Sequence, residues 1–233
     1  PERTIFPLDR FHVPLRLRRT LRRWPYQIRI NDDFTGVMRA CAAPNAARGR
    51  AKTWINDEII ALYTALHRQG HAHSLSAWHD GACVGGLYGV HLGGVFCGES
   101  MFSTMTDASK ICLVALVALL RSRGFQLLDC QFMTPHLAQF GAQTISRAAY
   151  QAQLQQAVRL HCRFGLPDLG ESGVVIGGTY PGTGTGKPSS ASGLADTAGV
   201  SAGSGASAPT VAAVDAGLSA LVTGFLQSMT QTS

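Results

Sequence analysis

The spacing of apolar and polar residues predicts several short elements in the first third of the chain. Residues 16–23 read RLRRTLRR, where leucines recur between arginines and predict a short helix with a basic face. The sequence YQIRIND, shortly after it, alternates as a strand does. Two more helices are predicted, one over residues 33–41 with Asp33 as its cap and one that begins after Asn56 and ends at Gly70.

The middle of the chain changes to a period of two and then to a long apolar stretch. Asp80-Gly81 separates two alternating segments and predicts a hairpin, and Gly93-Gly94 predicts a second turn. A helix from about Ala108 to Arg123, capped by Asp107, is apolar nearly all round and should be central and buried. FQLLDCQ predicts a buried strand, and residues 146–160 predict a further helix. This order of elements predicts a mixed α/β architecture (α+β, one mixed sheet).

The part of the chain from Gly170 to Ser233 has a different composition. It holds half of the 26 glycines, together with many Ser, Ala and Thr residues. Residues 166–210 are therefore predicted to be a Gly/Ser/Ala-rich disordered linker. Apolar residues return at helical spacing in VAAVDAGLSALVTGFLQSM, so residues 211–233 are predicted to hold a short C-terminal helix that either docks on a partner or frays.

Composition permits a full core and excludes several classes of protein. The chain has 233 residues, of which 45% are hydrophobic and 15% charged, so wholesale disorder is excluded. No run of about 18 uninterrupted apolar residues predicts a membrane span, and no secretory signal is visible. The six cysteines form no CxxC pair. A reduced, cytoplasmic setting is therefore expected.

Positive charge is concentrated in the first part of the chain. The net charge is +6, and residues 1–169 hold 19 of the 20 Lys and Arg but only 11 of the 14 Asp and Glu. A basic, arginine-rich body indicates a polyanionic partner such as nucleic acid, and a merely soluble basic surface is the alternative. The candidate contacts are the arginines of the first predicted helix: Arg16, Arg18, Arg19, Arg22 and Arg23.

Three segments carry polar or aromatic residues that an ordinary core would not need. Trp54 stands at a helix entrance after a basic loop, and Glu99 lies inside an otherwise apolar strand. Asp129 and Gln131 are two apart on a predicted strand, so their side chains should project side by side. Buried polar groups need partners or a purpose. Structural alternatives stay open for each: Asp129 could anchor a backbone turn, Glu99 could pair with an arginine, and Trp54 could pack at a rim.

Metal and hydrolase sites find little support. His67, His71, His73 and His79 cluster near the start of the sheet, but no ligand pattern with carboxylate or cysteine accompanies them. Hydrogen-bonded structural histidines are therefore favoured over a metal site. No serine stands in a GxSxG sequence, so a hydrolase nucleophile is not indicated.

Longer motifs occur in a fixed order from about Pro1 to Leu160, among them TWIN, AHS, VGG, GESMFS, DASK and DCQ. Together they resemble the motifs of the leucyl/phenylalanyl-tRNA–protein transferases. The positions that carry the resemblance are Thr53–Asn56, Leu66-His67, Ala72–Ser74, Val84–Gly86, Tyr88-Gly89, Gly98–Ser103, Asp107–Lys110, Asp129–Gln131, Thr134, His136-Leu137, Gly141-Ala142 and Arg147.

The resemblance implies an aminoacyltransferase that takes Leu or Phe, less often Met, from an aminoacyl-tRNA. The acceptor is the α-amine of a protein that begins with Arg or Lys, and the product is marked for degradation by the N-end rule pathway. The resemblance also implies a GNAT-like acyltransferase domain beside a small N-terminal domain, with no cofactor and no metal. Residues 1–30 would then be the remnant of a small basic N-terminal domain and residues 31–165 the catalytic domain, and a monomer without a membrane partner is expected.

Roles for the candidate residues follow from the resemblance together with the chemistry of an aminoacyl ester. Gln131 would accept a hydrogen bond from the attacking amine, Asp129 would hold and polarise Gln131, and Glu99 would hold polar groups of the aminoacyl-adenosine end. Trp54 contacts the terminal adenosine, since bases stack on aromatic side chains, and the arginines contact the tRNA backbone. Five residues are candidates for an apolar pocket that takes the Leu or Phe side chain: Leu87, Met101, Leu116, Leu120 and Leu128.

The sequence departs from the family pattern in four places, one of them the pocket positions Leu87, Leu116 and Leu120, which are often Met or Phe in the family. No WWSP-like stretch, which supplies part of the donor pocket in the family, precedes Pro1. Asn45 stands where an Arg often follows the CAxP motif, and the Gly/Ser/Ala tail has no counterpart.

Two other functions compete with the transferase. An acetyl-CoA-dependent GNAT N-acetyltransferase would need a (Q/R)xxGx(G/A) loop before a helix to hold pyrophosphate, and the sequence has none. A non-catalytic basic RNA-binding module would explain the arginines but leaves GESMFS and DCQ unexplained.

Overall fold

The structure, a computed structural model, describes residues 2–44, 53–166 and 210–229. Its elements, in chain order, are β1 (Arg3–Phe6), α1 (Leu15–Arg23), β2 (Gln27–Ile30), α2 (Phe34–Ala42), α3 (Asp57–Arg68), β3 (Ala72–His79), β4 (Ala82–Leu92), β5 (Val95–Ser103), α4 (Ala108–Ser122), β6 (Leu127–Gln131), α5 (Pro135–Ala138), β7 (Gln143–Ile145), α6 (Arg147–Ala157) and α7 (Val211–Ser228).

The seven strands form one mixed sheet in the order β2-β3-β4-β5-β6-β1-β7. Neighbouring strands are antiparallel except β5 and β6, which are parallel. The connection between these two strands is α4, as a parallel pair requires a crossover. The mixed α/β architecture predicted from the order of elements is therefore confirmed.

Helix α4 lies at the centre of the main core, as its all-round apolar sequence predicts. Twelve of its 15 residues are buried. It packs against β4 closely enough that a Cβ on Gly85 would lie 2.6 Å from the Cβ of Ala108, so a side chain there would push the helix away. On the opposite face of the sheet, α2 and α3 cover Ala72, Tyr88 and Phe102.

Local signals in the sequence set most helix and hairpin ends. The side chain of Asp33 accepts a hydrogen bond from the Gly36 N–H, and that of Asn56 accepts one from the Ile59 N–H, so both predicted caps are confirmed. At the hairpin between β3 and β4, Asp80 and Gly81 have φ of 48° and 77°. Positive φ at both central residues is what a type I′ turn needs.

The predicted cap of α4 is wrong in its chemistry. Asp107 occupies the N-cap position, but its φ is 62° and its side chain caps no backbone N–H. The carboxylate instead pairs with the Nζ of Lys110 at 2.8 Å. The carboxylate therefore forms an ion pair with a lysine one turn into the helix instead of accepting a hydrogen bond from a backbone N–H of the first turn.

Residues 3–30 contribute to the same sheet and core as the rest of the described body. Strand β1 lies between β6 and β7, and β2 forms the edge next to β3. Phe6, Phe11 and Leu17 belong to the core cluster that contains α4. The division of the chain into a remnant N-terminal domain and a catalytic domain stays a prediction.

Helix α7 docks on the body and is longer than the short helix predicted. Leu218, Val222 and Phe225 are buried in the core cluster of α4. The carboxylate of Asp215 accepts hydrogen bonds from the Trp24 indole N–H at 3.0 Å and from the Ile28 N–H at 2.7 Å. Because β2 is an edge strand, this second bond satisfies a backbone donor that would otherwise face water. Most of the predicted linker, residues 167–209, lies outside the described residues.

No helix in the described ranges is long and apolar enough to cross a membrane. Within those same ranges, no group of three or more His, Cys, Asp or Glu side chains is placed to hold a metal ion.

One of the clustered histidines, His73, is buried as an uncharged structural residue. It is 6% exposed and stacks on Phe164 with 4.1 Å between ring centroids. The Nδ1 atom lies 3.0 Å from the side-chain nitrogen of Asn31, which donates to it. Burial, with smaller contributions from the nearby His91 and His67, lowers the pKa of His73 from 6.5 to about 3.

The buried His73 should make the protein less stable in mild acid. In the unfolded chain the ring takes a proton near pH 6.5, whereas the folded ring stays neutral until about pH 3. The unfolded state therefore gains protons first, and stability falls as pH drops below 6.5. We expect His73 alone to reduce the free energy of unfolding by about 2 kcal/mol between pH 6.5 and pH 5.

Urea unfolding at pH 7.0, 6.0 and 5.0 measures this effect. His73→Phe keeps the ring that stacks on Phe164 but cannot be protonated, so its stability should change less between pH 7 and pH 5 than that of the wild type. An equal loss in both proteins would show that His73 does not carry the acid sensitivity.

Candidate active site

A cavity opens where the two parallel strands of the sheet separate. The pairing of β5 with β6 joins Val95–Cys97 to Leu127–Asp129. Beyond these residues β5 continues alongside β4, while the register of β6 against β1 shifts between Thr4 and Ile5. The segments 98–101 and 130–131 therefore line a gap instead of a continuous ladder.

The cavity has a volume of about 120 Å³ and a mostly apolar lining. A cavity of about 150 Å³ in a protein core can hold a benzene ring, so this one suits a single apolar side chain. It is too small for a whole drug-sized ligand, which needs about 300 Å³ or more. Its lining is formed by Phe6, Leu87, Tyr88, Gly98, Glu99, Ser100, Met101, Leu113, Leu116, Leu128, Cys130, Gln131 and Leu137.

Gln131 bridges the gap with its side chain. Its Nε2 donates to the carbonyl oxygen of Gly98 at 2.7 Å, which links β6 to β5 beyond their last backbone pair. With Nε2 directed to Gly98, the amide oxygen Oε1 is the acceptor that the side chain can offer to a substrate. The backbone of Gln131 has φ of 61°, a left-handed conformation that is uncommon for a residue with a side chain.

Asp129 is fully buried beside this turn, and three groups hold its carboxylate. Arg3 donates from Nε and Nη2, the closest contact being 2.7 Å to Oδ2. The hydroxyl of Tyr150 donates to Oδ2 at 2.8 Å. The backbone N–H of Gln131 donates to Oδ1 at 2.9 Å. Asp129 therefore contacts Gln131 through the backbone N–H of Gln131. The sequence predicted two side chains projecting side by side from a regular strand, but Gln131 has a left-handed backbone conformation that a regular strand does not have.

Glu99 also lines the cavity, and a tyrosine from α3 holds it. The hydroxyl of Tyr63 hydrogen-bonds to the Glu99 carboxylate. Burial raises the pKa of Glu99, and the Tyr63 hydrogen bond opposes that shift. Burial and the Glu99 carboxylate together raise the pKa of Tyr63 to about 12, so Tyr63 stays a donor at neutral pH.

The structure brings most of the predicted pocket residues together. Four of the five candidates line the cavity: Leu87, Met101, Leu116 and Leu128. Leu120 is not among the lining residues and is fully buried in the α4 core, so its place in the pocket stays a prediction. Leu113 and Leu116 already reach the cavity, and Leu120 lies about 6 Å further along the helix axis.

Trp54 and the arginines lie at the surface. The Trp54 side chain is 54% exposed just before α3 and is not part of the cavity lining. Arg16, Arg19, Arg22 and Arg23 are exposed on α1. Arg18 is half-buried because its Nε donates to the carbonyl oxygen of Val13. The predicted basic face of this helix is therefore confirmed, and four of its arginines are open to solvent.

Sequence reasoning missed the two residues that hold Asp129. Arg3 is 126 positions from Asp129 and Tyr150 is 21 positions away. The charge pattern gives Arg3 no distinction from other arginines of the basic body. The nearest signal was the general rule that a buried carboxylate needs donors, which predicts such partners but does not identify them.

Comparison with known proteins places the chain in one family. The model of the family described as "Leucyl/phenylalanyl-tRNA protein transferase" matches residues 5–155, which include the whole cavity lining. The match therefore covers most of the described residues that form the sheet and line the cavity. The chain belongs to the leucyl/phenylalanyl-tRNA protein transferase family.

Three relatives named "Leucyl/phenylalanyl-tRNA--protein transferase" show how far the similarity extends. The protein from Maricaulis maris is 52% identical over 168 residues, 72% of this chain and 77% of the relative. Those from Paramagnetospirillum magneticum and Herpetosiphon aurantiacus are 57% and 53% identical, over 67% and 70% of this chain and 74% and 82% of the relatives. A solved structure of L-PGS from Bacillus licheniformis matches with a TM-score of 0.34 at 14% identity, over 59% of this chain and 49% of that one, which is too weak to inform the fold.

Proposed function

We propose that this protein transfers Leu or Phe, less often Met, from an aminoacyl-tRNA to the α-amine of proteins that begin with Arg or Lys. The product would be marked for degradation by the N-end rule pathway. The observation that carries the proposal is the mostly apolar cavity of about 120 Å³ that Glu99 and Gln131 help to line, in a chain that belongs to the transferase family.

The cavity would receive the side chain of the transferred amino acid. Its apolar lining favours Leu, Phe and Met over polar side chains. A difference of one methylene changes binding by only about 1–3 kcal/mol, so a pocket of this kind accepts several large apolar side chains. Leu87, Met101, Leu116 and Leu128 would contact the side chain, and Glu99 would hold polar groups of the aminoacyl-adenosine end.

The reaction needs the acceptor amine next to the ester carbonyl. The amine nitrogen attacks that carbon, an amide bond forms, and the ester bond to the terminal ribose of the tRNA breaks. The amine loses a proton, and the departing ribose oxygen gains one as it becomes a hydroxyl. A neutral amide is a weak base, so Gln131 would orient the amine through Oε1 while the ribose hydroxyl relays the proton.

The tRNA would contact exposed basic and aromatic residues. The exposed arginines of α1 suit phosphates without reading base sequence, and this binding should weaken as salt is raised. Trp54, which is 54% exposed, suits stacking on the terminal adenosine.

We also propose the finer description of the fold that the family resemblance implies. The catalytic part would be a GNAT-like acyltransferase domain, and residues 1–30 would belong to a small basic N-terminal domain. The protein would act as a cytoplasmic monomer, since aminoacyl-tRNA is used in the cytoplasm.

Transfer of labelled Phe from Phe-tRNA to a peptide beginning with Arg, beside one beginning with Glu, tests the proposal. We expect the Arg peptide alone to be labelled, and Gln131→Ala to remove the labelling while tRNA binding persists. Met101→Phe places a larger side chain in the cavity lining and should lower Phe transfer without weakening binding of uncharged tRNA.

Two results would contradict the proposal. Labelling of neither peptide by wild-type protein that still binds tRNA would favour a non-catalytic RNA-binding module. Acetylation of the same peptides by acetyl-CoA would favour an N-acetyltransferase.

A further inference from the structure

We propose that Arg3 and Tyr150 are positioning residues that hold Gln131 in place through the buried carboxylate of Asp129. This inference rests on the proposed function, in which Gln131 orients the acceptor amine. Neither residue lines the cavity, so both would act through Asp129 and Gln131 without contacting the substrate.

Two separate elements, β1 and α6, hold the Asp129 carboxylate. Arg3 on β1 contacts both carboxylate oxygens, at 3.0 Å from Nε and 2.7 Å from Nη2. Tyr150 on α6 donates to Oδ2 at 2.8 Å. The Arg3 guanidinium also lies over the Tyr150 ring, 5.5 Å from its centroid, so the two partners support each other. A carboxylate held from two directions has little freedom to rotate.

The same carboxylate also holds an unfavourable backbone conformation. Gln131 has φ of 61°, and a non-glycine residue keeps such a conformation only where its surroundings hold it. Oδ1 of Asp129 accepts the Gln131 N–H at 2.9 Å, and the Gly98 carbonyl oxygen accepts from Gln131 Nε2 at 2.7 Å. The backbone and side chain of Gln131 are thus each held by a hydrogen bond, and together the two bonds fix the orientation of Oε1.

This arrangement differs from a simple ion pair in the effects expected of its variants. An ion pair that serves only stability needs the charges of Arg3 and Asp129 and not the hydroxyl of Tyr150. A positioning network needs the geometry of all three groups, so loss of the hydroxyl should reduce kcat more than it affects stability or KM.

Tyr150→Phe is the sharpest variant because it removes one oxygen and keeps the ring under Arg3. We expect kcat for Phe transfer to fall about tenfold, while KM for Phe-tRNA stays within about twofold. Arg3→Lys keeps the positive charge but loses the two-point contact, so it should lower kcat in the same way and leave a folded protein. Tyr26→Phe is the matched control, since the Tyr26 hydroxyl donates to the Thr106 carbonyl oxygen at 2.7 Å, outside this network.

A second readout does not depend on activity. The side-chain amide resonance of Gln131 in ¹⁵N-labelled protein can be identified by its disappearance in Gln131→Met. It should shift in Tyr150→Phe and Arg3→Lys and stay in place in Tyr26→Phe. A wild type that transfers nothing would overturn the proposed function, and the resonance would still test the network. Unchanged kcat with an unchanged resonance in Tyr150→Phe would overturn the inference, as would equal losses in Tyr26→Phe.

Discussion

Asp129→Ala should cost the protein both stability and nearly all transfer activity. The substitution leaves Arg3, the Tyr150 hydroxyl and the Gln131 N–H without their shared acceptor. We expect the free energy of unfolding to fall by about 3 kcal/mol, the lower end of the range for breaking a buried ion pair. The lower end applies because the Arg3 side chain is 36% exposed and can regain water, whereas Asp129 is fully buried.

The loss of activity should exceed what instability explains. Without the Asp129 carboxylate, Gln131 loses the contact that holds its left-handed backbone, so the orientation of Oε1 is no longer fixed. At a temperature where the variant is still folded, we expect transfer to fall about 100-fold, which corresponds to about 2.7 kcal/mol of lost transition-state stabilisation. Urea unfolding and a Phe transfer assay on the same preparation measure the two effects.

Asp32→Ala is the control for removing an aspartate from an ion pair. Asp32 pairs with Arg29 at 2.9 Å, with both side chains partly exposed. Pairs of this kind contribute about 0–1 kcal/mol, so stability and transfer should both stay close to wild type. Equal effects of the two substitutions would show that the buried network has no special role.

Local signals explain why much of the fold could be predicted from the sequence. Asp33 and Asn56 cap helices because the acceptor lies three residues from the donor, and the Asp80-Gly81 turn depends on two adjacent residues. Long-range pairing has no such signal. Strand β1 has only four residues, RTIF, and nothing in them indicates that they pair with β6 more than 120 positions later.

The candidate site likewise contains residues that could be predicted from the sequence and contacts that could not. Glu99, Gln131 and four of the five apolar candidates were predicted from the sequence, and the structure brings these to one cavity. Leu120 was also a candidate but does not line the cavity. The sequence does not give the distance of a helical residue from a cavity along the helix. The contact between Asp129 and the Gln131 backbone could not be predicted either, since it depends on a left-handed residue at the end of a strand.

Phe225→Ala should destabilise the whole body, although Phe225 lies far beyond residues 5–155 that match the family. Its ring is 7% exposed, lies 6.2 Å from the ring of Phe11 and is covered by the Arg121 guanidinium at 5.0 Å. Removing a buried aromatic ring of this kind costs about 3–5 kcal/mol. We therefore expect the free energy of unfolding, measured in urea on the full chain, to fall by about that amount.

Phe132→Ala is the matched control, because it makes the same change at a side chain that is 75% exposed, where stability should change by less than about 0.5 kcal/mol. A large difference between the two variants would mean that α7 is part of the folded core. That role follows from its contacts: Phe225 and Leu218 fill the core beside α4, and Asp215 satisfies the Ile28 N–H on the edge strand β2.

Equal, small effects would mean that α7 is not docked in solution. In that event the α4 face that Leu218, Val222 and Phe225 cover would be open to water, which a core of this size tolerates poorly.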